Sequence, residues 1–242
     1  MLLRHLRLPF SISYHHASAL QDHLVAALLA SKPTRNSTTS PSSPNAAPPP
    51  LPTLLTTSFN PIYTCGRREL STVTTSQKAH LLSTGADFHS ALRGGQTTFH
   101  GPGQLIGYPI IDLKAHKLGA RAYVELLEAT LIGTLARFGI RGLTTENPGV
   151  WTTPDRKIAA LGVHLRRNVT SHGIALNVDT DLTWFENIVA CGLEGKETTN
   201  FVREGVVGIK LDEVRDAFVE EFAARLDGVE GVAEVKEDDL ES

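Results

Sequence analysis

Three runs of residues in this 242-residue chain are poorly explained as packing and carry side chains that could do chemistry. Residues 93–104, RGGQTTFHGPGQ, place four glycines among Arg93, Thr98 and His100. Such a loop lets backbone groups approach a ligand closely. It lacks the GxxxxGK(S/T) spacing of a phosphate loop. Its GPG runs into strand-like residues rather than a helix, which excludes a dinucleotide fingerprint. Residues 157–163, KIAALGV, put Lys157 at the head of small apolar residues, Ala159, Ala160 and Gly162, against which something can pack tightly. A lysine at a strand mouth is otherwise a snorkelling surface residue. Residues 172–178, HGIALNV, lead on to Cys191, which is followed directly by glycine in a short irregular stretch. A lone cysteine is ordinarily an inert buried filler and becomes a nucleophile only as the thiolate.

Positioning these runs requires a framework of strands and helices. Residues 2–8 alternate enough for a strand, and Ala17, Leu20, Leu24 and Leu28 recur at helical spacing over about 15–30. Short strands are expected over 53–59 and 62–64, and a longer one over 105–113. Tyr123, Val124, Leu127, Leu131, Leu135 and Phe138 mark an amphipathic helix begun near Gly119 and stopped by Gly139. Residues 157–165 and 174–178 read as strands. Val214, Phe218, Phe222 and Leu226 mark a last helix, with Asp216, Glu220 and Glu221 on its wet face. Strands and helices mixed without a regular βαβ rhythm predict an α+β fold, a mixed sheet flanked by helices. Residues 31–53 hold seven prolines and nine Ser/Thr. That composition cannot offset its ordering entropy, so the segment is expected to be a disordered insertion. Only about 30 residues precede it, too few to fold alone, so the expectation is a single catalytic domain over 1–242. Residues 237–242 are expected to form an acidic tail.

Hydrophobic residues make up 41% and charged residues 20%, which fits a globular chain. No run approaches the ~20 apolar residues of a bilayer span, so no membrane insertion is expected. A net charge of −3 excludes a wholly basic nucleic-acid binder, and no nucleic-acid partner is expected. Residues 60–170 carry 13 basic against 7 acidic side chains, and 171–242 carry 6 against 18. The middle is therefore a candidate basic face, while the acidic end reads as solvated surface. Cys65 and Cys191 are the only cysteines, so neither a disulfide framework nor a thiolate metal site is expected. Residues 1–21 hold Arg4 and Arg7 and no acid, as a mitochondrial presequence does, although the alternation of 2–8 favours a strand.

Taken in order, residues 93–112 (RGGQTTFHGPGQLIGYPIID), 157–162 (KIAALG), 172–178 (HGIALNV) and Cys191-Gly192 resemble the successive signatures of the lipoyl(octanoyl) transferase family. Residues 63–68, YTCGRR, resemble its upstream YTxGR segment. The resemblance covers about residues 6–200 apart from the insertion. It implies the α+β fold of biotin and lipoate protein ligase catalytic domains. The activity implied is transfer of octanoyl from octanoyl-acyl carrier protein to a lysine of a lipoyl domain, the first step of protein lipoylation. Cys191 is then the acyl-accepting nucleophile, and Lys157 the lysine that lowers its pKa. The implied substrate-binding residues are Arg93, Gly94, Gly95, Gln96, Thr97, Thr98, Phe99 and His100, with Ala160, Leu161, Gly162, Gly173, Ile174 and Ala175. The implied acceptors are lipoyl domains of 2-oxoacid dehydrogenases and the glycine cleavage H protein. The implied location is the mitochondrion, and no cofactor or metal is implied. Ala190 stands where a proline usually precedes the cysteine, and Cys65 where leucine is common.

A thioester donor can pass its acyl group to a thiol with little change in bond energy, so no ATP is needed. The small residues Ala160, Gly162, Gly173 and Ala175 would leave room for the octanoyl chain. Delivery to an amine is harder, because a solvated lysine of pKa ~10.4 is neutral in only about one molecule in a thousand at neutral pH. Either Lys157 or the departing Cys191 thiolate would take that proton. Three alternatives remain. One is an ATP-dependent lipoate or biotin ligase on the same fold, which needs no cysteine. Another is a Cys–His hydrolase using His100 or His172 as base. The third is a non-enzymatic module that binds acyl carrier protein or lipoyl domains.

Overall fold

The computed structural model describes residues 1–32, 50–189 and 195–240. The chain opens with β1 (Leu2–Arg7) and α1 (Tyr14–Ala30); the Ser13 side chain caps this helix by accepting from the His16 N–H. β2 (Thr53–Thr57) and β3 (Ile62–Cys65) follow, then α2 (Thr75–Ser83), begun by a Thr74/Gln77 capping box. β4 (Asp87–Ser90), β5 (Thr98–His100) and β6 (Gln104–Ile110) lead to α3 (Ala120–Arg137). That helix ends at Phe138, where Gly139 takes the left-handed φ of 76° that stops it. β7 (Val150–Thr153), β8 (Arg156–Arg166) and β9 (Val169–Asn177) come next, then a 3₁₀ segment at Leu182–Asn187. β10 (Glu197–Thr198), α4 (Leu211–Arg225) and β11 (Gly231–Val235) complete the framework.

The large sheet runs β10-β8-β9-β6-β2-β1-β11, with β7 added against β8. β2–β6, β6–β9 and β8–β9 are antiparallel, while β1–β2, β1–β11 and β8–β10 are parallel. A smaller sheet, β4-β3-β5, stands beside it. The mixed directions and flanking helices bear out the expected α+β class.

Alternation along the strands gives the large sheet two faces. Leu105, Ile174 and Leu176 pack with Tyr123, Leu127, Leu131 and Leu135 of α3 and with Phe218 and Phe222 of α4. Ile106, Tyr108, Ile110 and Ala175 face the other way and pack with Leu24 and Leu28 of α1. A third cluster, Tyr63, Leu81, Ala86 and Phe99 with Trp184 and Phe185 against it, fills the small sheet.

Residues 2–7 form a strand between β2 and β11, as their alternation indicated. The segment 31–53, expected to be disordered, takes part in the fold at both ends. Ser31 caps α1, Lys32 pairs with Asp112 at 2.7 Å, and Thr53 is buried as the first residue of β2. Tertiary pairing at these ends offsets the ordering cost that composition alone could not. Residues 33–49 lie outside the described residues. In the acidic tail, Glu237–Leu240 form a 3₁₀ turn and Glu237 meets His16 at 2.9 Å. α2, β4, β5, β7 and β11 had no periodic signal: α2 buries only Leu81, and β11 has no buried residue.

Candidate active site

β8 and β9 carry two of the sequence runs side by side. Ala160 pairs with Ala175, Leu161 with Ile174 and Gly162 with Gly173. β5 and the loop before it bring the glycine-rich run over the same face. Between them lies a cavity of about 250 Å³, lined by Arg93, Gly94, Gly95, Gln96, Thr98, His100, Lys157, Ala160, Leu161, Gly162, Gly173, Ile174 and Ala175. The three runs, far apart in sequence, thus share one space.

Two of the implied binding residues in the glycine-rich run, 93–100, lie elsewhere. Thr97 gives both its N–H and its hydroxyl to Glu69 Oε2 at 2.6 Å, and Phe99 stacks on Trp184 with ring centroids 4.9 Å apart. The cause is strand alternation: Thr98 and His100 point to the cavity, so their neighbours point away. Two small residues also do a different job from the one expected. A Cβ on Gly162 would come within 2.9 Å of Arg93 Cδ, and one on Gly173 within 2.2 Å of the Gly107 carbonyl oxygen. The space they leave is filled by the Arg93 stem and by the backbone of β6. Ala160 and Ala175 are the pair whose small size opens the cavity.

Lys157 stands at one end. Its Nζ donates to the Pro148 carbonyl at 3.0 Å and lies 4.7 Å from the Trp151 ring centroid, a cation–π distance. It also borders a small void of about 20 Å³ with Thr98, Ala160, Ala175, Asn177, Phe185 and Thr198. Cys191 lies outside the described residues. Further along the chain, Thr198 of β10 pairs with Lys157 of β8.

The other polar groups are locked in a chain of hydrogen bonds. Arg93 Nη2 donates to the Thr64 carbonyl at 2.6 Å and to Thr64 Oγ1 at 2.7 Å, while Nη1 donates to the Gly94 and Gln96 carbonyls at 2.9 Å. The guanidinium therefore shapes the loop from within. Thr64 Oγ1 lies 3.1 Å from His100 Nε2, and His100 Nδ1 lies 2.7 Å from Gln104 Oε1. Because Oγ1 already accepts from Arg93, its proton goes to Nε2, and Nδ1–H donates to Gln104. Gln104 Nε2 continues to Asn177 Oδ1 at 2.9 Å, and Asn177 Nδ2 to the Thr199 carbonyl at 3.0 Å. Burial, with Arg93 nearby, lowers the pKa of His100 to about 3. His172 is lowered to about 3 by burial first, then by Arg93 and the neighbouring His164, His100 and His89. Both rings are neutral at physiological pH and poor proton acceptors, which disfavours them as the base of a Cys–His hydrolase.

Tyr108, His172, Val163, Asn147, Pro148 and Arg68 also line the cavity and were not singled out as binding residues. Pro148 contributes a backbone carbonyl, which no side-chain pattern reveals. Arg68 belongs to the YTCGRR segment and was legible there. Cys65 of that segment is fully buried in β3.

A cavity with small apolar residues on its floor and a cation at its border is the kind of concave, mostly apolar space in which small ligands bind. A family model described as the lipoyl protein ligase A/B catalytic domain matches residues 13–223. The chain belongs to that family. It is 49% identical over 81% of its length to a Schizosaccharomyces pombe protein named as a probable octanoyltransferase, covering 83% of that protein. It is 40% identical over 89% of its length to the mitochondrial octanoyl-[acyl-carrier-protein]:protein N-octanoyltransferase LIPT2 of Danio rerio, covering 90% of it. A solved lipoate protein ligase from Thermoplasma acidophilum, studied with its E2 lipoyl domain, shares the fold: TM-score 0.65 at 16% identity, over 99% of this chain and 89% of that one.

Proposed function

We propose that this chain is a mitochondrial octanoyltransferase that moves octanoyl from octanoyl-acyl carrier protein to a lysine of a lipoyl domain, through a thioester on Cys191. The observation that carries the reading is the single cavity onto which the three motif runs converge, with Lys157 at its head. Kinship with octanoyltransferases at 40–49% identity supports the activity.

In the first half-reaction the Cys191 thiolate attacks the donor thioester carbonyl. A new C–S bond forms, the donor's C–S bond breaks, and the carrier leaves as a thiol after taking up a proton from the Lys157 ammonium, which leaves that amine neutral for the second half. Lys157, as the ammonium, favours the thiolate that begins this step. In the second, the acceptor amine attacks the enzyme thioester. A C–N bond forms, the C–S bond to Cys191 breaks, and the amine's surplus proton passes to Lys157 or to the departing thiolate. Neither half needs ATP. Ala160 and Ala175 floor the slot for the acyl chain, and the loop held by Arg93 covers it. The proposed acceptors are lipoyl domains of 2-oxoacid dehydrogenases and the glycine cleavage H protein.

Intact-mass analysis after mixing with octanoyl-acyl carrier protein tests the reading. The expected result is one octanoyl adduct, lost in Cys191→Ala and retained in Cys65→Ala, followed by ATP-free transfer to a lipoyl domain. Transfer only with ATP and free acid would select a ligase instead. An adduct released solely to water would select a hydrolase.

A further inference from the structure

His172 breaks the alternation of the strand that carries it. In β9, Ile174 and Leu176 face α3 and α4, while Val169 and Ala175 face α1. By that parity His172 belongs on the side of α3 and α4. Its φ is 56°, however, and its ring centroid lies 5.5 Å from that of Tyr108, on the α1 side where the cavity is. A left-handed non-glycine residue within a strand is costly, and such residues cluster at ligand sites.

Two further observations make this more than a packing feature. The ring is buried, at 6% exposure, and borders the cavity. Its Nδ1 has no hydrogen-bond partner among the described residues. A residue placed only to fill space here would be apolar, since a buried unpartnered nitrogen is destabilising.

The position along the slot is informative. The Lys157 Nζ and the Ala159 carbonyl both lie against Gly149, and His172 pairs with Val163, four residues along β8 from Ala159, so the ammonium and the imidazole stand roughly 13 Å apart at strand spacing. Lys157 and the exposed Pro148 mark the open end. His172, Tyr108 and Arg93, all buried, mark the closed one.

We propose that His172 is a specificity-determining residue that stops the distal end of the acyl chain and so sets the longest chain the slot accepts. This rests on the acyltransferase reading above. The imidazole occupies the space a longer chain would enter.

The test compares octanoyl-, decanoyl- and dodecanoyl-acyl carrier protein as donors to the full chain, read as kcat and KM for adduct formation. His172→Gly suits the left-handed backbone and removes the imidazole. It should raise the dodecanoyl-to-octanoyl ratio of kcat/KM about tenfold or more, chiefly through a lower KM for the long chain. His172→Asn, which also tolerates a left-handed φ, should give a smaller shift in the same direction, and it serves if the glycine variant fails to fold. A wild-type protein that forms the octanoyl adduct, with folded variants whose ratio is unchanged, overturns this inference alone. Absence of any adduct from the wild type overturns the acyltransferase reading and this inference with it.

Discussion

Buried polar groups of the helix α3 and of the cavity are satisfied in opposite ways. In α3 they are settled locally: Thr130 and Thr134 are fully buried, yet each hydroxyl simply donates to the carbonyl one turn back, at 2.8 and 2.9 Å. At the margin, Arg215 of α4 reaches the Leu8 carbonyl at 3.1 Å and Asp212 at 3.0 Å. On the cavity face, satisfaction is long-range. Arg93, Thr64, His100, Gln104, Asn177 and Thr199 are joined across four separate segments. Local bonds leave the packing of α3 and α4 to apolar contact, which is non-directional and tolerant. A chain of directional bonds instead fixes where a loop sits and which tautomer a ring adopts, and a site needs that kind of order.

Acidification should have the largest effect, mainly through the cavity side. His100 and His172 there have pKa values near 3, and His5, beside Arg215 of α4, one near 4, against about 6.5 in the unfolded chain. As pH falls below 6.5 the unfolded chain takes up these protons first. The stability they contribute is therefore complete above about pH 6.5 and is lost progressively toward pH 3–4, by roughly 1 kcal/mol per pH unit for each ring. Denaturant midpoints measured from pH 7.5 to 4.5 should fall steeply, and His100→Gln should make the slope shallower by about one proton. An unchanged slope would mean that His100 is not held neutral.

Leu131→Ala beneath α3 should cost about 2–5 kcal/mol. Transfer per folded molecule should stay within about twofold, checked by chemical denaturation beside single-turnover assays. Lys157→Ala should do the reverse, lowering transfer on the order of 10²-fold with little change in the denaturation midpoint. It should also slow alkylation of Cys191 at neutral pH. Lys157→Arg should restore part of the alkylation rate but not transfer, because guanidinium does not give up its proton.

The contrast between local and long-range bonding has its own test. Thr64→Val removes the link between Arg93 and His100 and should cost about 1–3 kcal/mol, with a fall in activity. Thr134→Val, equally buried, should cost less than about 1 kcal/mol, because its bond only doubles back on its own helix. Equal costs would erase the distinction drawn here.

The smallest effect concerns the rim. Arg67 and Arg68 are exposed beside the loop, and Arg68 lines the cavity. Arg67 and Arg166 both depress the pKa of His164, after burial, which places all three in one basic cluster. The neighbouring basic residues are engaged elsewhere: Arg156 with Glu204 at 3.4 Å, and Arg167 with the Leu29 and Lys32 carbonyls at 3.4 Å. Reversing Arg67 and Arg166 to Glu should raise the KM for an acidic carrier protein severalfold at low salt. The difference should shrink toward physiological salt, where exposed charges are screened over ~8–10 Å. A double reversal at Arg156 and Arg167 should have a weaker effect. Parity between the two pairs would place docking elsewhere.

Much of this was legible in the residues themselves. Apolar spacing located α1 and α3 to within a residue or two and α4 to within three, since a helix burying one stripe must repeat near 3.6. The runs at 93–104, 157–163 and 172–178 announced the site, because their glycines, small residues and isolated polar groups serve packing poorly. Pairing across the sheet was beyond local pattern. Only the tertiary structure set Ala160 against Ala175, filled the space beside Gly162 with the Arg93 stem, and turned Thr97 and Phe99 away from the slot. It alone gave β1 its place between β2 and β11, and gave His172 the backbone angle that turns its ring into the cavity. Periodicity records which side of an element is buried. It carries no record of what lies opposite, and that is settled by contacts between residues far apart in the chain.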